Sequence, residues 1–268
     1  MGVGSVWMKK ETTKVRKVIF LADSQIPFQI DLRYVEQFLV DEKPDVVVYM
    51  GDMLDMTALL KWSSSGMAAI DWESVREEIR IANQMLDRHQ AIFAKFGKPV
   101  ELHWIHGNHE ERLYHWRDTH TEDLRKNRST VPELVRDLKL KERGMQVHWQ
   151  NDLFPLGKLW VMHGSDYSTH HARKLLSDYE VNLIYAHVHA PQRHTKVARV
   201  THSPKSAWSI GCLCSRNPEW KNGAPNAWVN GIAEVFIMPN GSFNVYPIDI
   251  IRGRFVSPNG KFYGPKIG

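Results

Sequence analysis

The chain has no run approaching the roughly 18 consecutive apolar residues that a membrane helix requires, and its start, MGVGSVWMKKETTK, lacks the apolar stretch of a secretory signal. The expectation is a soluble, cytoplasmic protein with no membrane partner. Gly2 would invite myristoylation only with Ser or Thr at position 6, where Val6 stands. The N-x-S matches at Asn127 and Asn240 matter only in a secreted chain and read as plain surface residues. With 2 cysteines there is no disulfide framework. Cys212 and Cys214 lie two apart in a strand-like run, so they face the same way and are poorly placed to bridge each other. Buried reduced thiols are the better reading, soft metal ligands the lesser one. Internal repeats and low-complexity tracts are missing too, which excludes solenoids and long disordered tails.

Acidic residues are missing from one place in particular. Between Val181 and Pro218 there is no Asp or Glu, whereas Arg193, Lys196, Arg199, Lys205 and Arg216 all fall there. With a formal net charge of +5, this stretch reads either as a solvated basic strand face or as a rim attracting phosphate.

What is present is an alternation of strand and helix. VRKVIFLA, over residues 15–22, is a buried strand that stops at a polar cluster. Residues 31–42 read as a helix, 46–50 as a strand ending at Gly51, and 70–96 as a long helix. In that helix Val75, Ile79, Ala82, Leu86 and Phe93 fall on one face. Residues 100–106 form a third strand, so the sheet there should be largely parallel. Residues 110–143 are helical and charged, and are assigned to the substrate side. Short strands follow at 145–149, 159–162, 181–185, 193–200, 228–238 and 243–248, with a loop-rich zone at 215–227 read as a mobile loop. One domain over 1–268 is expected, with 1–14 a loose leading segment.

Metal-capable side chains recur directly after these strands: Asp23 with Gln25, Asp52 with Asp55, Asn108 with His109, then His163, then His187 with His189. Loops at the carboxyl ends of neighbouring strands share one edge of an α/β sheet, so distant positions can converge there. Each element alone is weak, since an Asp after a strand is usually a turn or helix cap. Jointly they form an oxygen and imidazole set with almost no sulfur, suited to Mn, Fe or Zn.

The ordered runs LADSQ, GDMLD, GNHE, VMHG and AHVH resemble the five signature motifs of the calcineurin-like metallophosphoesterase family. The later GCLCSRNPEW and NAWVNG resemble the C-terminal part of its phage-type members. The resemblance implies an α/β fold, a four-layer αββα sandwich of two mixed β-sheets flanked by helices. It implies two divalent metal ions, with Mn favoured over Fe, Zn and Ni, and hydrolysis of a phosphate ester by a hydroxide bridging them. Position by position it puts Asp23, Gln25, Asp52 and His189 around one metal and Asp52, Asn108, His163 and His187 around the other. His109 matches the family's catalytic histidine, and Asp55 would orient its imidazole. Two close cations sharing a carboxylate lower the pKa of water and clamp phosphoryl oxygens; an imidazole can protonate an alkoxide near neutrality.

Two positions depart from the family pattern. The first motif usually reads D-x-H, and here Gln25 places an amide where imidazole is expected; Ala186 replaces the usual Gly of the fifth. Arg112, one helical turn past His109, either holds substrate phosphate or pairs with Glu111 or Asp118. Of the adjacent His170 and His171, at most one can face a substrate, and His171 is the candidate. Trp208, Trp220 and Trp228 could stack on bases, with burial the likelier use; His103 and His148 are assigned to packing or surface. A phosphodiesterase or nuclease acting on nucleotides or nucleic acid is the favoured activity. A phosphomonoesterase is the alternative, and a non-catalytic metal-binding protein on the same fold is a third reading prompted by Gln25. The oligomeric state stays open.

Overall fold

A computed structural model describes residues 14–60, 70–127, 131–218 and 222–266. The leading segment 1–13 and Trp220 lie outside them, as does part of the 215–227 zone.

The period-two pattern of the first strand decides the layering. In β1 (Arg16–Leu21), Ile19 and Leu21 point to one face and Val18 and Phe20 to the other, and all are buried. Such a strand needs apolar cover on both sides. On one side Ile19 and Leu21, with Val47 and Tyr49 of β2 (Val46–Tyr49), share a core with α1 (Arg33–Glu42), the short α2 (Thr57–Leu60) and α3 (Trp72–Phe93). On the other, Val18, Phe20, Val46 and Val48 pack on Phe154, Leu159, Val161, Ile184 and Trp208 of a second sheet. The outer face of that sheet, through Leu183, Tyr185 and Ala207, is covered by α7 (His171–Tyr179). The result is the expected αββα sandwich.

The first sheet has the order β11-β10-β1-β2-β3-β4, with β3 (Glu101–Ile105), β4 (Met145–His148), β10 (Gly231–Ile237) and β11 (Phe243–Asp249). β1 to β4 run parallel, while β10 and β11 are antiparallel. The second has the order β5-β6-β7-β9-β8, from β5 (Phe154–Leu156), β6 (Leu159–Val161), β7 (Leu183–Tyr185), β8 (Gln192–Val197) and β9 (Pro204–Ser209). A two-stranded ribbon, β12 (Phe255–Val256) with β13 (Phe262–Tyr263), closes over Phe38 of α1. The sequence reading did not anticipate β5, β9, the ribbon or α7. It also started one strand three residues early, since β10 begins at Gly231.

The long helix carries its expected stripe, and its N-terminus is capped by Asp71 accepting from Ser74 N at 3.1 Å. One buried residue on that face is acidic: Glu78, whose carboxyl group accepts from Met56 N at 2.8 Å. The 110–143 stretch is helical in pieces, α4 (Asn108–Thr119), α5 (Thr121–Asn127) and α6 (Leu134–Asp137). Among the described residues no helix is long and apolar enough to cross a membrane.

Candidate metal centre

Parallel pairing of β1, β2 and β3 puts their carboxyl ends side by side, and the chain leaves them in tight turns. Asp23 N donates to Gly51 O at 3.1 Å and Gln25 N to Asp52 O at 2.9 Å, so the first two loops are laced together. Within these turns and the one after β7, five candidate ligands sit in the left-handed region: Asp23 (φ 51), Gln25 (φ 44), Asp52 (φ 49), His187 (φ 71) and His189 (φ 62). This backbone is costly for residues with a Cβ, and such strain gathers where side chains must be aimed. Two glycines make room. A Cβ on Gly107 would lie 2.1 Å from Asp52 Oδ1, and one on Gly51 would lie 2.6 Å from His163 Nδ1.

The aimed side chains form two groups that share a residue. Asp52, His163 and His187 bring ligand atoms within 4.8 Å of one another, as do Asp23, Asp52 and His189. In the first, His163 Nε2 lies 3.2 Å from Asn108 Oδ1, 3.3 Å from His187 Nδ1 and 3.4 Å from Asp52 Oδ2. Donors held about 2.1 Å from one cation stand roughly 3.0–3.4 Å apart, so these spacings match a coordination shell. His163 Nδ1 is 2.6 Å from Met50 O and donates to it, which leaves Nε2 as the free donor atom. In the second group His189 Nε2 is 3.4 Å from Asp23 Oδ1. Asp23 Oδ1 is buried yet lacks a hydrogen-bond partner, which is expected of an atom meant for a cation. Gln25 is buried and lines the cavity beside these groups.

Electrostatics point the same way. Burial would raise the Asp52 carboxyl, but His109 and His163 beside it hold it far below the usual range. Burial would lower His163, yet Asp52 and Asp23 push it up to about 9, so a proton sits where a cation would. Burial and His163 together take His187 down to about 4, leaving it neutral. Burial, opposed by Asp52, lowers His109.

His109 opens α4. Its backbone N donates to Asp52 Oδ1 at 2.9 Å, and its Nε2 stands 3.6 Å from Asp52 Oδ2. The imidazole is oriented by Asp55, though through the main chain: Nδ1 is 2.7 Å from Asp55 O and 3.8 Å from the carboxylate. The Asp55 carboxylate instead accepts from Thr57 Oγ1. Arg112 Nη1 donates to the same Asp55 carbonyl at 2.9 Å, so this arginine belongs to the site rather than to a pair with Glu111 or Asp118. These groups line a cavity of about 360 Å³ together with Thr57, Tyr167 and Trp228.

His171 is not brought to the site. The chain turns into α7 after the fourth motif, and His171 is buried there with Nδ1 2.6 Å from Tyr185 OH. Its nearness to His163 in sequence was misleading, because the first turn of a covering helix points it under the second sheet.

Two features escaped the sequence reading, Glu110 and Tyr167, and two differ from it in part. Glu110, fully buried, accepts from Gly107 N, Asp52 N and Leu54 N at 2.8, 3.0 and 3.0 Å, tying the loops after β2 and β3 together. Its place three residues past the N-cap Gly107 is the capping-box position and could have flagged it. Tyr167 was not singled out. Trp228 was assigned to burial but stands half-buried at the cavity, unlike Trp208, which is buried. Cys212 and Cys214 are buried free thiols as expected, yet they occupy isolated bridges rather than a strand, and Cys214 Sγ is 3.8 Å from His189 Nδ1. With His189 they form a third compact group of possible ligands.

The model of the calcineurin-like phosphoesterase family matches residues 16–231. The chain belongs to that family. Among curated relatives, the Gene 54 protein of Mycobacterium phage D29 is 26% identical over 101 residues, spanning 37% of this chain and 38% of that protein. Among solved structures, a Vps29 double mutant from Entamoeba histolytica is 14% identical, covering 88% of this chain and 94% of that one, with a TM-score of 0.46. A dimetal phosphatase from Danio rerio is 10% identical, covering 93% and 96%, with a TM-score of 0.37.

Proposed function

We propose that this family member is a dinuclear metal-dependent phosphodiesterase or nuclease acting on nucleotides or nucleic acid. The observation that carries it is Asp52: one carboxylate belongs to both ligand groups and is bonded to the backbone of His109. Asp23, Gln25, Asp52 and His189 would hold one cation, and Asp52, Asn108, His163 and His187 the other. Two bound cations supply Lewis acidity toward phosphoryl oxygens and acidify water; Mn²⁺ is favoured because oxygen donors predominate in the first set.

The chain's own residues supply the rest. When the ring is protonated, His109 Nε2, which faces the shared carboxylate, is placed to give its proton to a departing alkoxide oxygen. Arg112, braced on the Asp55 carbonyl, offers its remaining N–H donors to a non-bridging phosphoryl oxygen. A diester is favoured over a monoester by the acid-free basic stretch between Val181 and Pro218.

The deciding experiment is nitrophenol release from bis-p-nitrophenyl phosphate and p-nitrophenyl phosphate, with Mn²⁺ and with chelator. Faster Mn²⁺-dependent turnover of the diester is expected. Preference for the monoester would install the phosphomonoesterase reading, and no turnover with any divalent metal would install the non-catalytic one.

A further inference from the structure

The walls of the cavity differ in kind from its floor. The floor is carboxylate, amide and imidazole, whereas two aromatic side chains from distant segments stand at the metal-ligating histidines. Tyr167 follows the fourth motif, and its ring centroid lies 4.2 Å from that of His187 at an interplanar angle of 53°. Trp228 precedes β10, and its ring lies 4.3 Å from His189 at 68°. His187 belongs to one ligand group and His189 to the other. Each group therefore has its own aromatic neighbour, and both rings line the one cavity.

Shielding the imidazoles does not explain the exposure of Tyr167. It is 71% exposed, the second most exposed of the large apolar and aromatic side chains among the described residues. A ring left largely in water over a polar floor contributes little to folding, and it keeps a face free for a ligand. A phosphodiester centred over the shared Asp52 sends its two ester arms in opposite directions, one toward each group. The arms that such walls recognise are planar ones.

Resting on the phosphodiesterase reading above, we infer that Tyr167 and Trp228 form a two-sided aromatic clamp that stacks on the bases of a nucleoside phosphodiester. The substrate class is single-stranded or short nucleic acid, whose unpaired bases are free to stack. Recognition by stacking tolerates any base. Arg112 and the two ligand groups address the phosphate, so base and phosphate are read by separate parts of the site.

The test compares thymidylyl-(3′→5′)-thymidine with the same dinucleotide stripped of both bases, which share the phosphodiester and differ only in their planar arms. With Mn²⁺, Tyr167→Ala and Trp228→Ala should each raise KM for the thymidine ester about tenfold, within the range of one lost base–aromatic stack. kcat for that ester and both constants for the abasic ester should stay within about twofold, and Tyr167→Phe should restore the wild-type KM. Equal losses on both esters, or no loss on either, would overturn the clamp. Calorimetric titration of thymidine 5′-monophosphate against ribose 5-phosphate, on Mn²⁺-supplemented protein, reads the clamp without turnover. Weaker binding of the nucleotide alone in the alanine variants supports it, and parallel changes for both ligands refute it. Failure to hydrolyse either ester would sink the phosphodiesterase reading and leave this binding comparison to decide the clamp.

Discussion

His109 Nδ1 is held 2.7 Å from the main-chain oxygen of Asp55, while the carboxylate of the same residue stands 3.8 Å away. The carbonyl accepts a hydrogen bond from Nδ1–H, which leaves Nε2 toward the cavity, where it carries a proton to give only in the cationic ring. Replacing the Asp55 side chain should leave that bond in place. Asp55→Asn is expected to reduce kcat less than about tenfold, whereas His109→Ala should cost about a hundredfold or more, as for a lost general acid. The His109→Ala loss should shrink on esters with good leaving groups, which need little protonation. Steady-state kinetics on nitrophenyl and alkyl esters checks both; equal losses on the two ester types would remove His109 as the acid.

Sharing of Asp52 makes the two ligand groups interdependent. Protein reconstituted with Mn²⁺ should carry two ions per chain, and Asp52→Asn should weaken both together, since a neutral amide cannot balance two cations. Elemental analysis after gel filtration measures this. One ion lost and one kept at wild-type affinity would show that the carboxylate does not bridge.

Gln25 gives the first group a neutral oxygen where the family has imidazole, so the ion there should be held more weakly than its neighbour. Gln25→His is expected to tighten that site and to move the preferred activator from Mn²⁺ toward Zn²⁺ or Ni²⁺. Gln25→Ala should loosen it. Unchanged affinity and metal preference in the alanine variant would instead assign the amide to a metal-bound water.

Away from the metal centre, His89 is buried with Nδ1 hydrogen-bonded to Tyr49 OH at 2.8 Å, and burial followed by the charge of Arg88 pushes it down to about 3. Its folded pKa lies below the unfolded value of 6.5, so the unfolded chain takes up the proton first. Its stabilising effect is full above pH 6.5 and is lost as pH falls through that value toward 3, by up to about 1.4 kcal/mol per pH unit for one group. Urea unfolding of metal-free protein between pH 7 and 5 should show this slope, and His89→Gln should flatten it by about one proton. An unaltered slope in the variant would mean that other groups carry the pH dependence.

Much of the site could be read from the chain because parallel strands end at one edge. Asp23, Asp52 and Asn108 each follow a strand of the first sheet, and His163 and His187 each follow a strand of the second, so position after a strand implied convergence. The parallel part of the first sheet was legible from the alternation of strand and helix, whereas the four-layer arrangement came from the resemblance of the five motifs to their family. What stayed hidden depends on partners far along the chain. Glu110 looks like an ordinary first-turn acid until Asp52 N and Leu54 N are seen pointing at it. Tyr167 sits in a polar loop with no periodicity. β9, reading PKSAWS, begins with proline and lysine and gains strand character by lying between β7 and β8. The orienting bond to His109 comes from a main-chain oxygen, which no side-chain pattern can encode.

The central place of β1 has a consequence for how the chain can be shortened. One edge of β1 is closed by β2, only about thirty residues further on, but the other is closed by β10, over two hundred residues away, with register Arg16↔Ile237 to Phe20↔Ala233. The family match stops at residue 231, where β10 starts. A fragment trimmed to that match would keep every candidate ligand yet leave RKVIFL as a bare, hydrophobic sheet edge, the kind of surface that templates aggregation. The same holds on the ribosome: the strand carrying the chain to Asp23 waits for almost all of the polypeptide before its second neighbour arrives, and it is exposed to misassociation until then.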